Sequence, residues 1–173
     1  MVAENRATTR TPTRMVAQAV VLVAIGVALS PYTSLPIGIA KVNPTQHFVN
    51  MLAAVLLGPW WAAIIAFAIG VLRNAMGVGT LLAFPGGMIG AFLAGYLYRC
   101  RPKIAWAALG EMVGTGLLAP LVSALLIAPF LMGKAIPLLA LIPSFLASTV
   151  AGTILGIIAL IFLQRADIIH LQR

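Results

Sequence analysis

The stretch that decides the fold is Leu52-Ala53-Ala54-Val55-Leu56-Leu57-Gly58-Pro59-Trp60-Trp61-Ala62-Ala63-Ile64-Ile65-Ala66. It sits within the 31 uncharged residues between Lys41 and Arg73. Gly58-Pro59 interrupts it, and glycine ends a helix where proline begins the next. Two readings compete. One long kinked helix gives the chain five membrane spans; a tight hairpin of two short helices gives six. Helices of about 14 residues reach only roughly 21 Å, less than the ~30 Å of a bilayer core. In the six-span reading longer neighbours must therefore shield them.

Outward from this stretch, the charges divide the chain. Arg14 to Lys41 encloses 26 uncharged residues and Arg73 to Arg99 encloses 25. Lys103 to Lys134 encloses 30 residues with Glu111 the one charge, and Lys134 to Arg165 encloses 30 with none. Each gap accommodates a spanning helix of roughly 20 residues. Positive residues favour the cytoplasmic side. Six spans with the N-terminus inside put Arg6, Arg10, Arg14, Arg99, Arg101, Lys103, Arg165 and Arg173 there, 8 of the 11 cations. Lys41, Arg73 and Lys134 remain outside, whereas five spans split the cations 5 against 6. The charge pattern thus predicts an all-α integral membrane protein of six transmembrane helices, with both termini cytoplasmic. The expected spans are 15–30, 45–57, 60–73, 81–98, 104–129 and 137–163, with outer loops at 31–44, 74–80 and 130–136. Residues 15–163 form one membrane domain, between a mobile cytoplasmic tail at 1–14 and a short one at 164–173.

Composition excludes the alternatives. Of 173 residues, 62% are hydrophobic and 8% charged, against about 25% charged in soluble domains. A water-soluble enzyme, a disordered chain and a coiled coil are all ruled out. The net charge of +8 is an orientation signal and not a nucleic-acid footprint, because the cations flank apolar runs. Cys100 is the single cysteine, and His47 and His170 lie far apart, so neither a disulfide nor a metal cluster is expected. The basic N-terminal stretch and first apolar run resemble a signal peptide, but Pro31 after the Ala28/Ser30 pair disfavours cleavage, and the segment reads as helix 1. No internal repeat is visible.

Polar groups in hydrocarbon each need a reason, and here they cluster. Gln46, His47 and Asn50 share one face at the outer start of the second helix. Arg73 and Asn74 end the third helix on the same side of the membrane. The three helix-2 residues read as donors and acceptors of an outward-facing pocket rather than as headgroup contacts. Arg73 reads as a cation snorkelling to the interface. Glu111 lies about seven residues, roughly 10 Å, from the inner end of helix 5, with Thr115 one turn on. Its reading stays open among ligand contact, proton site and structural hydrogen bond. This placement puts Glu111 and His47 at different depths. Trp60 and Trp61 read as an aromatic belt. Gly77-Val78-Gly79-Thr80 and Phe84-Pro85-Gly86-Gly87 let backbone approach a ligand or another helix, yet lack the Gly-Lys-Ser/Thr ending of a phosphate loop.

Small residues recur every fourth position. Gly86, Gly90 and Ala94 do so, as do Gly87, Ala91 and Gly95, the pair Gly110 and Gly114, and the pair Gly152 and Gly156. Such rows permit close packing in lipid. On the first helix Ala17, Ala24 and Ala28 form a stripe on an otherwise apolar helix, suited to docking on another protein. No nucleophile–base pair, carboxylate dyad or metal spacing is present, so an enzyme is not expected. Without a nucleotide motif or inverted repeat, a capture subunit powered by a partner fits better than a self-sufficient transporter.

The chain resembles the substrate-binding S components of energy-coupling factor (ECF) transporters, and among them the ThiW type. The resemblance rests on Lys41-Val42-Asn43-Pro44-Thr45-Gln46-His47-Phe48-Val49-Asn50 running into Leu52 to Trp60. It continues through Leu72-Arg73-Asn74, Gly77 to Thr80, Leu81-Leu82-Ala83-Phe84-Pro85-Gly86, and Gly110-Glu111 with Gly114-Thr115-Gly116, covering residues 15 to 163. It implies a six-helix bundle in a prokaryotic plasma membrane that captures a vitamin precursor from outside, here hydroxyethylthiazole. It also implies a transmembrane coupling protein and two ATPases as partners, with ATP used by those partners and no cofactor in this chain. The family's helix-1 docking pattern, Ala-x-x-x-Ala, is matched strictly only at Ala24/Ala28, with Ala17 and Val21 toward the inner half. A small neutral thiazole needs a few polar groups and an aromatic wall. Gln46, His47, Asn50 and Asn74 are candidates for the first and Phe84 for the second, with Glu111 and Thr115 as further candidates. Competing readings are an S component for another vitamin or precursor, a proton-coupled carrier using Glu111, and a ligand-free structural membrane protein.

Overall fold

The computed structural model describes residues 11–37 and 40–169. Six helices account for most of the chain: α1 (Pro12–Thr33), α2 (Pro44–Leu57), α3 (Pro59–Ala75), α4 (Ala83–Cys100), α5 (Ile104–Leu131) and α6 (Leu138–Arg165). Two three-residue strands, β1 (Leu35–Ile37) and β2 (Ala40–Val42), pair antiparallel with Leu35 opposite Val42. The six expected segments each correspond to one of the six helices, with ends that differ by up to three residues; α4 and α6 start one or two residues later than expected and end two later. The outer loop expected at 31–44 proves to be partly a hairpin. The tail predicted at 1–14 yields Pro12–Arg14 to α1; its residues 1–10 lie outside the described residues, as do 170–173 of the C-terminal tail.

Local chemistry explains the boundaries. Proline opens α1, α2 and α3 at the first helical position, where its missing N–H costs nothing. Asn43 caps α2, its Oδ1 accepting from the Gln46 N–H at 3.0 Å. Gly58 ends α2 and starts α3 at φ 89°, a left-handed conformation that a side chain resists. A Cβ there would also collide with the Arg99 guanidinium. The Gly58-Pro59 hairpin is therefore a true break, with α2 and α3 as separate helices.

Helices α1, α5 and α6 are long and apolar enough to cross a bilayer, at 22, 28 and 28 residues. α2, at 14 residues, lies at the centre, against α1, α3, α4, α5 and α6. Eleven of its residues are buried. Glycines allow this closeness: a Cβ on Gly156 would come within 2.6 Å of the Met51 Cβ, and one on Gly152 within 2.6 Å of the His47 Cβ. α4 and α5 approach in the same way, where a Cβ on Gly114 would lie 2.7 Å from the Gly90 Cα. α5 carries π-helical turns at Gly114–Leu118 and Ser123–Leu131. Pro120 and Pro129 each withdraw an N–H from this helix, a recognised cause of such irregularity.

Candidate functional site

The first turns of α2 place Gln46, His47 and Asn50 on one buried face, against α3, α4, α5 and α6. Their side chains belong to one hydrogen-bond network whose polarity can be read from its ends. A guanidinium can only donate, so the bond between Arg73 Nη1 and Gln46 Oε1 (3.4 Å) fixes the Gln46 amide. Its Nε2 then donates to Asn50 Oδ1 at 3.3 Å. That in turn directs Asn50 Nδ2 toward Glu111 Oε1 at 3.0 Å and the Gly87 carbonyl at 3.1 Å. The chain of donors runs from a buried cation to a buried acid through two amides.

Glu111 Oε1 lies 2.7 Å from His47 Nδ1. Because Oε1 already accepts from Asn50, the imidazole Nδ1–H is the donor, and the second ring nitrogen of a neutral His47 is left as an acceptor. Thr115 Oγ1 is 3.1 Å from Glu111 Oε1 and 2.8 Å from the Gly86 carbonyl; its single hydroxyl proton serves one of them at a time. Glu111 is wholly buried. Such a carboxylate persists only with partners of this kind. Gly90 makes the room, since a Cβ there would strike Thr115 Oγ1 and come within 2.9 Å of Glu111 Oε2.

Two expectations are corrected here. Glu111 and His47 do not lie at different depths. Gly152 of α6 lets the head of α2 pack closely, since a Cβ there would come within 2.6 Å of the His47 Cβ, and the glycine contacts between α4 and α5 bring the acid to it. Arg73 does not snorkel outward: it is 2% exposed and turns inward to Gln46 and to Ser34 Oγ (3.4 Å), because α2 and the segment preceding β1 cover it.

Above the network is a small cavity of about 30 Å³. Gln46 and His47 form its polar floor, and Lys41, Asn43, Arg73 and Thr80 also line it, with Ser144, Phe145 and Ser148 from α6 and Leu82, Ala83 and Gly86 near the start of α4. The remaining candidates fall elsewhere. Asn50, Glu111 and Thr115 lie in the supporting network rather than in the lining. Asn74 Nδ2 donates to the Gly70 carbonyl at 2.8 Å, and its amide packs where Gly79 passes. Phe84 packs on Gly70 and stands 5.9 Å from the ring of Phe67. The aromatic ring in the lining is Phe145.

Sequence reasoning missed Ser34, Asn43, Ser144, Phe145 and Ser148. A signal existed for some of them. Ser144, Ser148 and Gly152 follow one another at four-residue spacing in an apolar run, which marks an inward face. Asn43-Pro44 is a helix-start signature. Asn43 ties the rim together: its Nδ2 donates to Ser34 Oγ at 2.7 Å, and its N–H donates to Ser148 Oγ at 2.8 Å. Lys41 Nζ reaches the Gly77 carbonyl at 3.0 Å, linking the hairpin to the α3–α4 turn.

On the far face of the bundle, Ala17, Ala24 and Ala28 are all exposed. α1 buries the opposite stripe, Ala19, Leu22, Gly26 and Ser30.

Comparison with known proteins adds to this geometry. A family profile described as thiamine-precursor transporter protein (ThiW) matches residues 16–166. Among solved structures, the chain is similar to the S component of a bacterial ECF transporter, with a TM-score of 0.72 over 91% of this chain and 98% of that one. At 16% identity this likeness establishes the shared fold. No match was found among curated proteins.

Proposed function

Because the chain belongs to the ThiW family of thiamine-precursor transporter proteins, we propose that it is the S component of an ECF-type importer and captures the thiazole precursor hydroxyethylthiazole. The chain is a membrane transporter component and not an enzyme. In the proposed arrangement six helices span the bilayer with both termini cytoplasmic, and the cavity opens outward. An ATPase-driven module of a coupling protein and two ATPases accepts the loaded subunit, and the exposed Ala17, Ala24 and Ala28 face that module.

The observation that carries the reading is the cavity over the α2 network. Eight of its twelve lining residues are polar or charged and Phe145 supplies one aromatic wall, a convergence of polar groups on a concave site of the kind that orients a small molecule. His47 presents its free ring nitrogen as acceptor for a hydroxyl, and Gln46 and Arg73 supply donors for the thiazole nitrogen. At about 30 Å³ the space suits roughly one water molecule, far below the ~300 Å³ of a small ligand site. Binding therefore requires the cavity to widen, and the rim bonds of Lys41 and Asn43 are the ones that must yield.

Calorimetric titration of the purified chain with hydroxyethylthiazole tests the proposal. Saturable binding that weakens in His47→Ala, with the unfolding temperature still cooperative, supports it. Unchanged affinity in that variant sinks the assignment of the site. A second reading, a carrier driven by protons through Glu111, draws on the buried acid and its Oε2, which has no protein partner among the described residues. Proton-gradient-driven uptake by the isolated chain in vesicles would favour it.

A further inference from the structure

The charge around the cavity says more about the ligand than its size does. Lys41 and Arg73 both line it, and none of the described lining residues is Asp or Glu. Arg73 is 2% exposed, yet its Nε–H has no hydrogen-bond partner among the described residues. Its other two bonds, to Gln46 and Ser34, are both long at 3.4 Å. Leaving a guanidinium donor buried and unpaired is costly. The acid in this region, Glu111, is separated from Arg73 by two amides and is committed to His47 and Asn50. Lys41 and Arg73 are thus two cations set against this one acid.

We infer that the ligand carries an oxyanion, a carboxylate or a phosphate monoester on the heteroaromatic ring, and that Arg73 and Lys41 bind it. This rests on the thiazole reading above and refines which form of the thiazole is captured. A planar guanidinium with an unused N–H matches an oxyanion in geometry and in charge, and charge-assisted bonds of this kind are about twice as strong as neutral ones. Lys41 supplies a point charge at the rim, and its present partner, the Gly77 carbonyl, is readily exchanged for a ligand oxygen. The hydroxyethyl group of the neutral thiazole would leave the extra charge uncompensated.

The test titrates the full-length wild-type chain in detergent with three probes: hydroxyethylthiazole, its phosphate ester, and 4-methylthiazole-5-carboxylate. At least one anionic probe is expected to bind about tenfold or more tightly than the neutral one. Whichever anion binds more tightly identifies the group. Arg73→Gln should abolish that preference and Lys41→Gln, at the rim, should reduce it. The comparison of ligands on the wild-type chain stands even where Arg73→Gln does not fold. If hydroxyethylthiazole binds as tightly as the better-bound anion or more so, the inference is overturned while the thiazole reading survives. If none of the three binds, both are overturned.

Discussion

Helices α1 and α2 are neighbours in sequence and in contact, and they are opposites. α1 is 22 residues long and buries one stripe of four residues. It packs on α2 and α3, and leaves Val16, Val20, Val21 and Leu29 exposed. α2 has 14 residues, with eleven of them buried. The polar groups divide the same way. α2 carries Gln46 and His47, which line the cavity, and the supporting Asn50, whereas the exposed face of α1 has alanines and valines. The longer helix satisfies the bilayer by itself. The shorter one cannot, and a helix surrounded by protein is where polar side chains can be satisfied by each other rather than by water. Site and periphery are thus separated by burial.

Substitutions can break this contrast, and the largest effect should come from its deepest member. Glu111→Ala leaves His47 and Asn50 without their shared acceptor, and at about 1–3 kcal/mol for each orphaned donor should cost about 2–6 kcal/mol. Thermal unfolding in detergent should show this as a fall in Tm of about 2–4 °C per kcal/mol. Gly90→Ala comes next, at about 1–3 kcal/mol, because the added methyl displaces Thr115 and Glu111. Asn43→Ala removes the α2 cap and the link to Ser34, for about 1 kcal/mol, and hydrogen exchange should rise in the first turn of α2. Ala24→Leu on the exposed stripe of α1 should change stability by less than about 0.5 kcal/mol. Its effect should instead appear as weaker co-purification with the coupling protein. A Tm loss for Ala24→Leu as large as that for Gly90→Ala would erase the distinction between the two regions.

Much of this architecture was legible in the sequence, for reasons tied to single residues. Gly58-Pro59 is a local signal, and a left-handed glycine before proline breaks a helix in any context. The spacing of Gln46, His47 and Asn50 fixes their common face. The pairing of Thr115 with Glu111 also follows from helix periodicity. What could not be read was depth across helices. The contact of Glu111 with His47 depends on how closely α2 approaches α6 and α5 approaches α4, and both are set by tertiary glycine contacts. Arg73 shows the same limit: helix-end position allows snorkelling or burial, and the cover from α2 and Ser34 decides between them. Phe145 was hidden among many apolar residues of α6, whereas Phe84, beside its conspicuous Pro-Gly-Gly, stands outside the cavity.

The most direct test of the account is one set of binding titrations, with the thiazole probes applied to the wild-type chain, His47→Ala and Ala24→Leu. The account predicts that wild type and Ala24→Leu bind alike, and that His47→Ala binds about tenfold or more weakly while still unfolding cooperatively. Equal binding by wild type and His47→Ala would contradict the placement of the site at the head of α2.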